Sequence, residues 1–159
     1  MNLAKHCIDV GVRTNNIDAM LEFWTKEVGL PYMELLKVGG GVHQHRLSLK
    51  GSIFKLNHVR SLLPENTPTG YRELLIASDV SKTTPLTDPD GNKVTLVPAS
   101  LHDITNIGMK MVVRSMEDAK RFFTKTVQAE PLSNNSFKWG TTVFLLEEDK
   151  DAPIGGGMQ

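Results

Sequence analysis

One pattern occurs twice in this chain of 159 residues, and it restricts the folds the chain can adopt. A strand-like run over 7–14 (CIDVGVRT) leads through Asn15 and Asn16 into Ile17, Met20, Leu21, Trp24 and Val28, spaced along one helical face. Asp18, Glu22 and Lys26 fall on the other face. Gly29 follows the last apolar position and suits a left-handed helix stop, and Pro31 prevents resumption. At an offset of 99 the order returns: GMKMVVRS over 108–115, then Met116, Ala119, Phe122, Phe123 and Val127. Val12 aligns with Met111, Asn16 with Ser115, Trp24 with Phe123 and Val28 with Val127. Asn15 or Asn16 is expected to cap the first helix. Ser115, with Asp118 three positions on, should cap the second. Matched strand, cap and paired aromatics read as a duplication.

Further strands are expected at 32–38, 43–49 and 53–59, separated by Gly39-Gly40-Gly41 and by Gly51. The first sixty residues thus read strand–helix–strand–strand–strand. A Pro-containing loop covers 61–70, and strands follow at 71–77 and 93–97. Between them Asp88-Pro89-Asp90-Gly91-Asn92 is a strong turn signal. Short strands at 136–138 and 141–147 turn at Gly140. These divisions give a first module over 1–60, a reduced β module without a helix over 61–103, a second module over 104–150 and a flexible tail over 151–159.

Bulk properties exclude some partners. Eighteen Lys and Arg balance eighteen Asp and Glu, so the net charge is zero. Nucleic-acid affinity rests on basic groups neutralising phosphates, and no basic run is present. No apolar run approaches a membrane span, and the opening MNLAKHCIDVGVRT lacks a signal-peptide core. Cys7 stands alone, which precludes an internal disulfide and fits a reducing, cytoplasmic setting.

Two segments then carry a resemblance. DVGVRTNNIDAMLEFWTKEVGL (9–30) and DPDGNKVTLV (88–97) resemble the opening and closing segments of the vicinal oxygen chelate superfamily, the group of glyoxalases, bleomycin-resistance proteins and extradiol dioxygenases. The resemblance implies an α+β fold. In it, repeated βαβββ modules form a curved, mostly antiparallel mixed sheet with a concave cleft. In metal-dependent members a His in the first strand and a Glu in the last hold a divalent metal that chelates two substrate oxygens. Here those positions fall on Asp9, on Gly108 in the repeat, on Lys55 and on Thr95. Gly, Thr and Lys do not build such a site, and a protonated Lys repels a divalent cation. The expectation is therefore no cofactor, with an Asp9–Lys55 ion pair in the metal's place. The second module stops before a closing turn, which would leave a sheet edge unpaired. A homodimer is expected to cover it.

The candidate ligand-binding residues of the cleft are Asp9, Arg13, Lys55, Asn57 and Thr95. Arg13 continues the face of Asp9, and Arg46 or Arg72 could reach the rim to bind a carboxylate. An alternative metal site for Zn, Fe, Mn or Ni would use His43, His45 and His58, with Glu34 nearby; the plainer reading is solvated histidines. Cys7, Trp24, Phe122 and Phe123 read as core, and Trp139 as either a pocket or a dimer contact. The triple glycine precedes a strand rather than a helix and is no phosphate loop. Three functions stay open. The first is metal-independent binding of a small molecule. The second is a metal-dependent enzyme of glyoxalase, epimerase or dioxygenase type, with a nonstandard or intersubunit site. The third is a structural remnant of a longer protein.

Overall fold

The computed structural model describes residues 5–64, 69–99, 101–133 and 135–153. Residues 154–159 of the expected tail and 65–68 of the expected loop lie outside the described residues. Three modules follow one another. The first contains β1 (Val10–Thr14), α1 (Ile17–Glu22), β2 (Tyr32–Lys37), β3 (Val42–Leu49) and β4 (Ser52–Val59). The second contains β5 (Tyr71–Ser78), β6 (Thr84–Thr87) and β7 (Lys93–Pro98). The third contains β8 (Ile107–Val113), α2 (Met116–Arg121), β9 (Glu130–Pro131), β10 (Ser136–Trp139) and β11 (Thr142–Glu148).

In every module the first strand lies parallel to the last: β1 to β4, β5 to β7 and β8 to β11. The remaining pairings are antiparallel, as hairpin connections allow. The strands form two mostly antiparallel mixed sheets, in keeping with the expected α+β class. The first module makes a four-stranded sheet, β1-β4-β3-β2. The second and third join through antiparallel β5 and β8 into a seven-stranded sheet, β6-β7-β5-β8-β11-β10-β9. Strands β6 and β9 were not expected. Each is short and half exposed or exposed, so neither carries an apolar alternation.

The duplication extends to a helical irregularity. α1 runs into a π-helical turn over Phe23–Glu27, and α2 into one over Phe122–Thr126, again at the offset of 99. Each turn opens on the aromatic pair, with ring centroids 5.5 Å apart and edge-on in both copies. Ser115 caps α2 by accepting from the Asp118 N–H at 3.2 Å. The expected Asn cap of α1 is not made. Asn16 makes no side-chain cap, and the Asn15 amide instead donates to the carbonyls of Val59 and Ser61. Strand β1 also begins later than 7–14, because Cys7 turns its thiol toward the Gly51 carbonyl. Gly29 adopts φ +79°, as expected; in the repeat Gln128 takes that left-handed place. Phe122 is exposed rather than core, whereas Phe123 packs inward onto Phe137 and Phe144. Trp139 packs at the margin of that cluster.

The main core lies between the sheets. α1 covers one face of the first sheet, and Met20, Phe23 and Trp24 meet Leu74, Ile76, Val94, Ile107 and Met109 of the second. Trp24 is the pivot. Its ring lies 3.9 Å from that of Phe54, and its Nε1 donates to the Asp88 carboxylate at 3.3 Å. Asp88 is buried and also accepts from the Asp90 and Asn92 N–H groups and the Asn92 amide. Replacing Asp88 by Ala would strand those donors, so Asp88→Ala should lower the unfolding free energy by about 2 kcal/mol. Asp90→Ala, on the same turn, should stay within about 0.5 kcal/mol. Urea denaturation of the two variants beside the parent checks the contrast.

Candidate functional site

Each sheet turns one face to its helix; the other face is open on the first sheet and, on the second, partly covered by Ile104 and the short helical turn Leu101–Asp103. On the first sheet, alternation along the strands brings Asp9, Gly11 and Arg13 to the open face beside Lys55 and Asn57. Gln44 and Arg46 continue it on β3, and Glu34 on β2. The expected ion pair is made: Lys55 Nζ lies 2.8 Å from the Asp9 carboxylate, and Lys5 Nζ is 3.0 Å away. The Ile53 N–H also donates to Asp9. A polar row crosses the sheet: Arg46 donates to Glu34 and to Gln44, Gln44 to Asn57, and Asn57 to the Val12 carbonyl. Arg13 is exposed and makes no ion pair among the described residues. Arg46 is spent on Glu34, and Arg72 turns to the Thr69 and Tyr71 carbonyls, so neither serves as a rim anchor.

His43, His45 and His58 share the opposite, helix-bearing face. The rings of His43 and His58 stand 6.4 Å apart, and His45 Nδ1 is 3.2 Å from the Tyr32 hydroxyl. Burial, and then the neighbouring charges of His58 and His43, lower the His45 pKa. Among the described residues no three His, Cys, Asp or Glu side chains gather as a metal group. The three histidines therefore lie away from Asp9 and Lys55 rather than completing a site with them.

Thr95 was grouped with these residues, but it lies on the second sheet. There a cleft of about 250 Å³ opens on the face away from α2, walled by Leu75, Val97, Pro85 and Leu101, the last from the short helical turn Leu101–Asp103. Its polar groups are Glu73, Thr95, Lys110 and, at the rim, His102. Lys110 Nζ donates to Glu73 Oε2 at 2.6 Å, and the Thr95 hydroxyl donates to the other oxygen. Burial would raise the Glu73 pKa, but these two bonds and the Lys110 charge lower it.

The strand registers relate the two sites. Gly11 is opposite Lys55 in β1–β4, and Leu75 is opposite Thr95 in β5–β7. Counting back two residues, Glu73 occupies in β5 the place Asp9 holds before β1. By the same count Lys110 takes the place of Gly11. Both open faces therefore set an ammonium against a carboxylate at the start of a module's first strand. Sequence reading missed Glu73 and Lys110. The offset of 99 led to Gly108, whose Cβ position would lie 2.6 Å from Ile104, so that place is filled by an apolar side chain. The alternation in YRELLIA was the available signal, but with no helix after β5 nothing aligned it to β1.

No family model and no curated protein matches the chain. Solved structures do. Glyoxalase I from Zea mays superposes with a TM-score of 0.67 at 16% identity, over 87% of this chain and 65% of that one. A point mutant of that enzyme gives 0.68 at 14% identity, over 87% and 66%. A Bacillus subtilis protein named as a candidate dioxygenase gives 0.60 at 11% identity, over 95% and 65%. The chain has the glyoxalase I fold. That is the α+β arrangement of repeated modules expected from the two segments. The chain spans just under two thirds of the length of these three structures. No helix among the described residues is long and apolar enough to cross a membrane.

The metal that the glyoxalase I fold implies can be tested against these donors. The carboxylates at the heads of the first strands, Asp9 and Glu73, each already hold an ammonium within 2.8 Å, and Glu34 on the first open face is held by Arg46 at 3.1 Å. A divalent cation there would displace a hydrogen-bonded lysine and sit beside its charge. The donors do not fit the metal.

Asp9 gives a measurable consequence. Burial pushes its carboxyl up, but Lys55 and then Lys5 outweigh it and lower the pKa from 3.8 to about 2. The folded value lies below the unfolded one, so the stabilisation is present above about pH 4 and lost as pH falls toward 2. Lys55→Met should raise the Asp9 carboxyl and flatten the loss over that window, read by carboxyl NMR titration and acid unfolding. An unchanged Asp9 titration would break the assignment.

Proposed function

We propose that this protein binds a small molecule in the open cleft of its second sheet without a metal. One observation carries the reading. A carboxylate–ammonium pair, Glu73 and Lys110, lies at the floor of an apolar-walled cleft where the fold's metal chemistry would need several oxygen and nitrogen donors. Apolar walls with a few convergent polar groups are what small-ligand sites offer. A polar group of the ligand would accept from Lys110 and donate to Glu73, exchanging their mutual bond for two directed ones. Leu75, Val97 and Leu101 would bury the rest.

Asp9, Arg13, Lys55 and Asn57 form a second polar face, which we assign to recognition rather than to metal chemistry. We place the protein in a reducing, cytoplasmic setting as a homodimer. The lone Cys7 and the β1 edge, which has no strand partner among the described residues, support those two readings.

The test combines metal loading with ligand screening. Incubation with Zn²⁺, Fe²⁺, Mn²⁺ or Ni²⁺ should leave no stoichiometric metal after dialysis and no rise in Tm. Small polar metabolites that raise Tm should move the amide NMR signals of Leu75, Thr95 and Val97. Lys110→Met should weaken such a ligand about tenfold, roughly 1.4 kcal/mol, with the fold intact. Retained stoichiometric metal, or a ligand indifferent to Lys110, would overturn the proposal in favour of a metal-dependent enzyme or a different site.

A further inference from the structure

A second cleft, of about 410 Å³, opens where the first module meets β5. Its floor is apolar: Val28 and Leu30 from the exit of the first helix and Ile76 from β5, all three buried. The cleft on the second sheet uses none of them. Neighbouring residues of a strand face opposite ways, so β5 gives Ile76 to this cleft and Leu75 to the other. The two clefts lie back to back across one strand.

Opposite charges line it from the two sheets. Lys50, in the turn between β3 and β4, belongs to the first sheet, and Asp79, just past the end of β5, to the second. Both are exposed, and neither makes an ion pair among the described residues. In the other cleft the ammonium and the carboxylate bond each other; here they do not. The walls are held in place around them. Asn106 joins the two: its carbonyl accepts from the Ala77 N–H at 2.9 Å, and its amide donates to the Lys50 carbonyl at 2.6 Å. The Cys7 thiol donates to the Gly51 carbonyl at 3.0 Å on the same turn, and the Ser48 N–H to the Pro31 carbonyl at 2.8 Å. Lys50 itself takes φ +48°, a left-handed conformation that suits glycine or asparagine better. A lysine held in such a place points to a use for its side chain.

We propose that this cleft binds a short zwitterion, with a carboxylate at one end, an ammonium at the other and an apolar body between them. The ligand's carboxylate would accept from the Lys50 ammonium, and its ammonium would donate to the Asp79 carboxylate. Its apolar body would cover Val28, Leu30 and Ile76. A simple acid or a simple amine would leave one of the two charges without a partner, so a ligand carrying both gains two charge-assisted bonds rather than one. Small ligands commonly sit at the junction of two units, and here each unit supplies one charge. This inference goes beyond the second-sheet cleft, whose Glu73, Thr95 and Lys110 line the other side of the sheet.

The probe is ε-aminocaproate, with caproate and hexylamine as its two halves. Methyl NMR of the full chain separates the clefts, because Val28 and Ile76 line this one and Leu75 and Val97 the other. ε-Aminocaproate should move the Val28 and Ile76 methyl signals saturably in the millimolar range, with caproate and hexylamine each about tenfold weaker. Lys50→Gly keeps the left-handed turn, and it should weaken ε-aminocaproate about tenfold while leaving hexylamine unchanged. Asp79→Asn should weaken the zwitterion by about as much and leave caproate unchanged. An Ile76 signal that stays still at tens of millimolar overturns the proposal. So does movement by all three probes alike, or binding indifferent to Lys50 and Asp79. Movement confined to Leu75 and Val97 overturns it too while supporting the second-sheet cleft, so the two readings fail separately.

Discussion

The indole of Trp24 and the carboxylate of Asp88 hold the two sheets in their relation to each other. Trp24 belongs to the π turn that closes the first helix, and Asp88 to the turn that leads into β7. Their bond is buried, so it gains from exclusion of water, and each partner would be costly to leave alone. Around it Phe54 stacks from the first sheet while Leu74, Val94 and Met109 approach from the second. The helix-bearing face of the first sheet is thereby turned to the second sheet. The raised Asp88 pKa reflects this burial, which its hydrogen bonds only partly offset.

From that arrangement follows the common logic of the two open faces. The parallel pairing of first and last strands sets one position at the head of each module beside one position on its closing strand. In the first module these are Asp9 and Lys55; in the second they are Glu73 and Thr95, with Lys110 supplied by the third. An ammonium neutralises each carboxylate. What remains on each face is a local dipole.

The antiparallel pairing of β5 with β8 also explains why the second sheet is the larger one. Two modules that share a first-strand edge cover each other's open backbone groups. The first module has no strand on that edge among the described residues, and its open face is polar, crossed by the row from Glu34 to Asn57.

Much of this was legible from residue order. The offset of 99 located both helices, both aromatic pairs and both parallel first strands, because helical periodicity and a left-handed stop are local properties. Asp9 and Lys55 were identified as partners because they share a motif position, and an oppositely charged pair on one face lowers its own desolvation cost. The strands β6 and β9 were not legible, since short exposed strands are defined by a neighbour's hydrogen bonds and not by their own pattern. Glu73 and Lys110 escaped for a related reason: they meet only through the β5–β8 register, which couples residues 37 apart in sequence. Thr95 was grouped with Asp9 and Lys55 but lies on the other sheet, because alternation tells which face a residue takes and not which sheet. Sequence by itself determined the modules and the charges they carry. Tertiary structure decided which charges meet, because that depends on how strand edges pair, and edge pairing is set by backbone hydrogen bonds that any side chain allows.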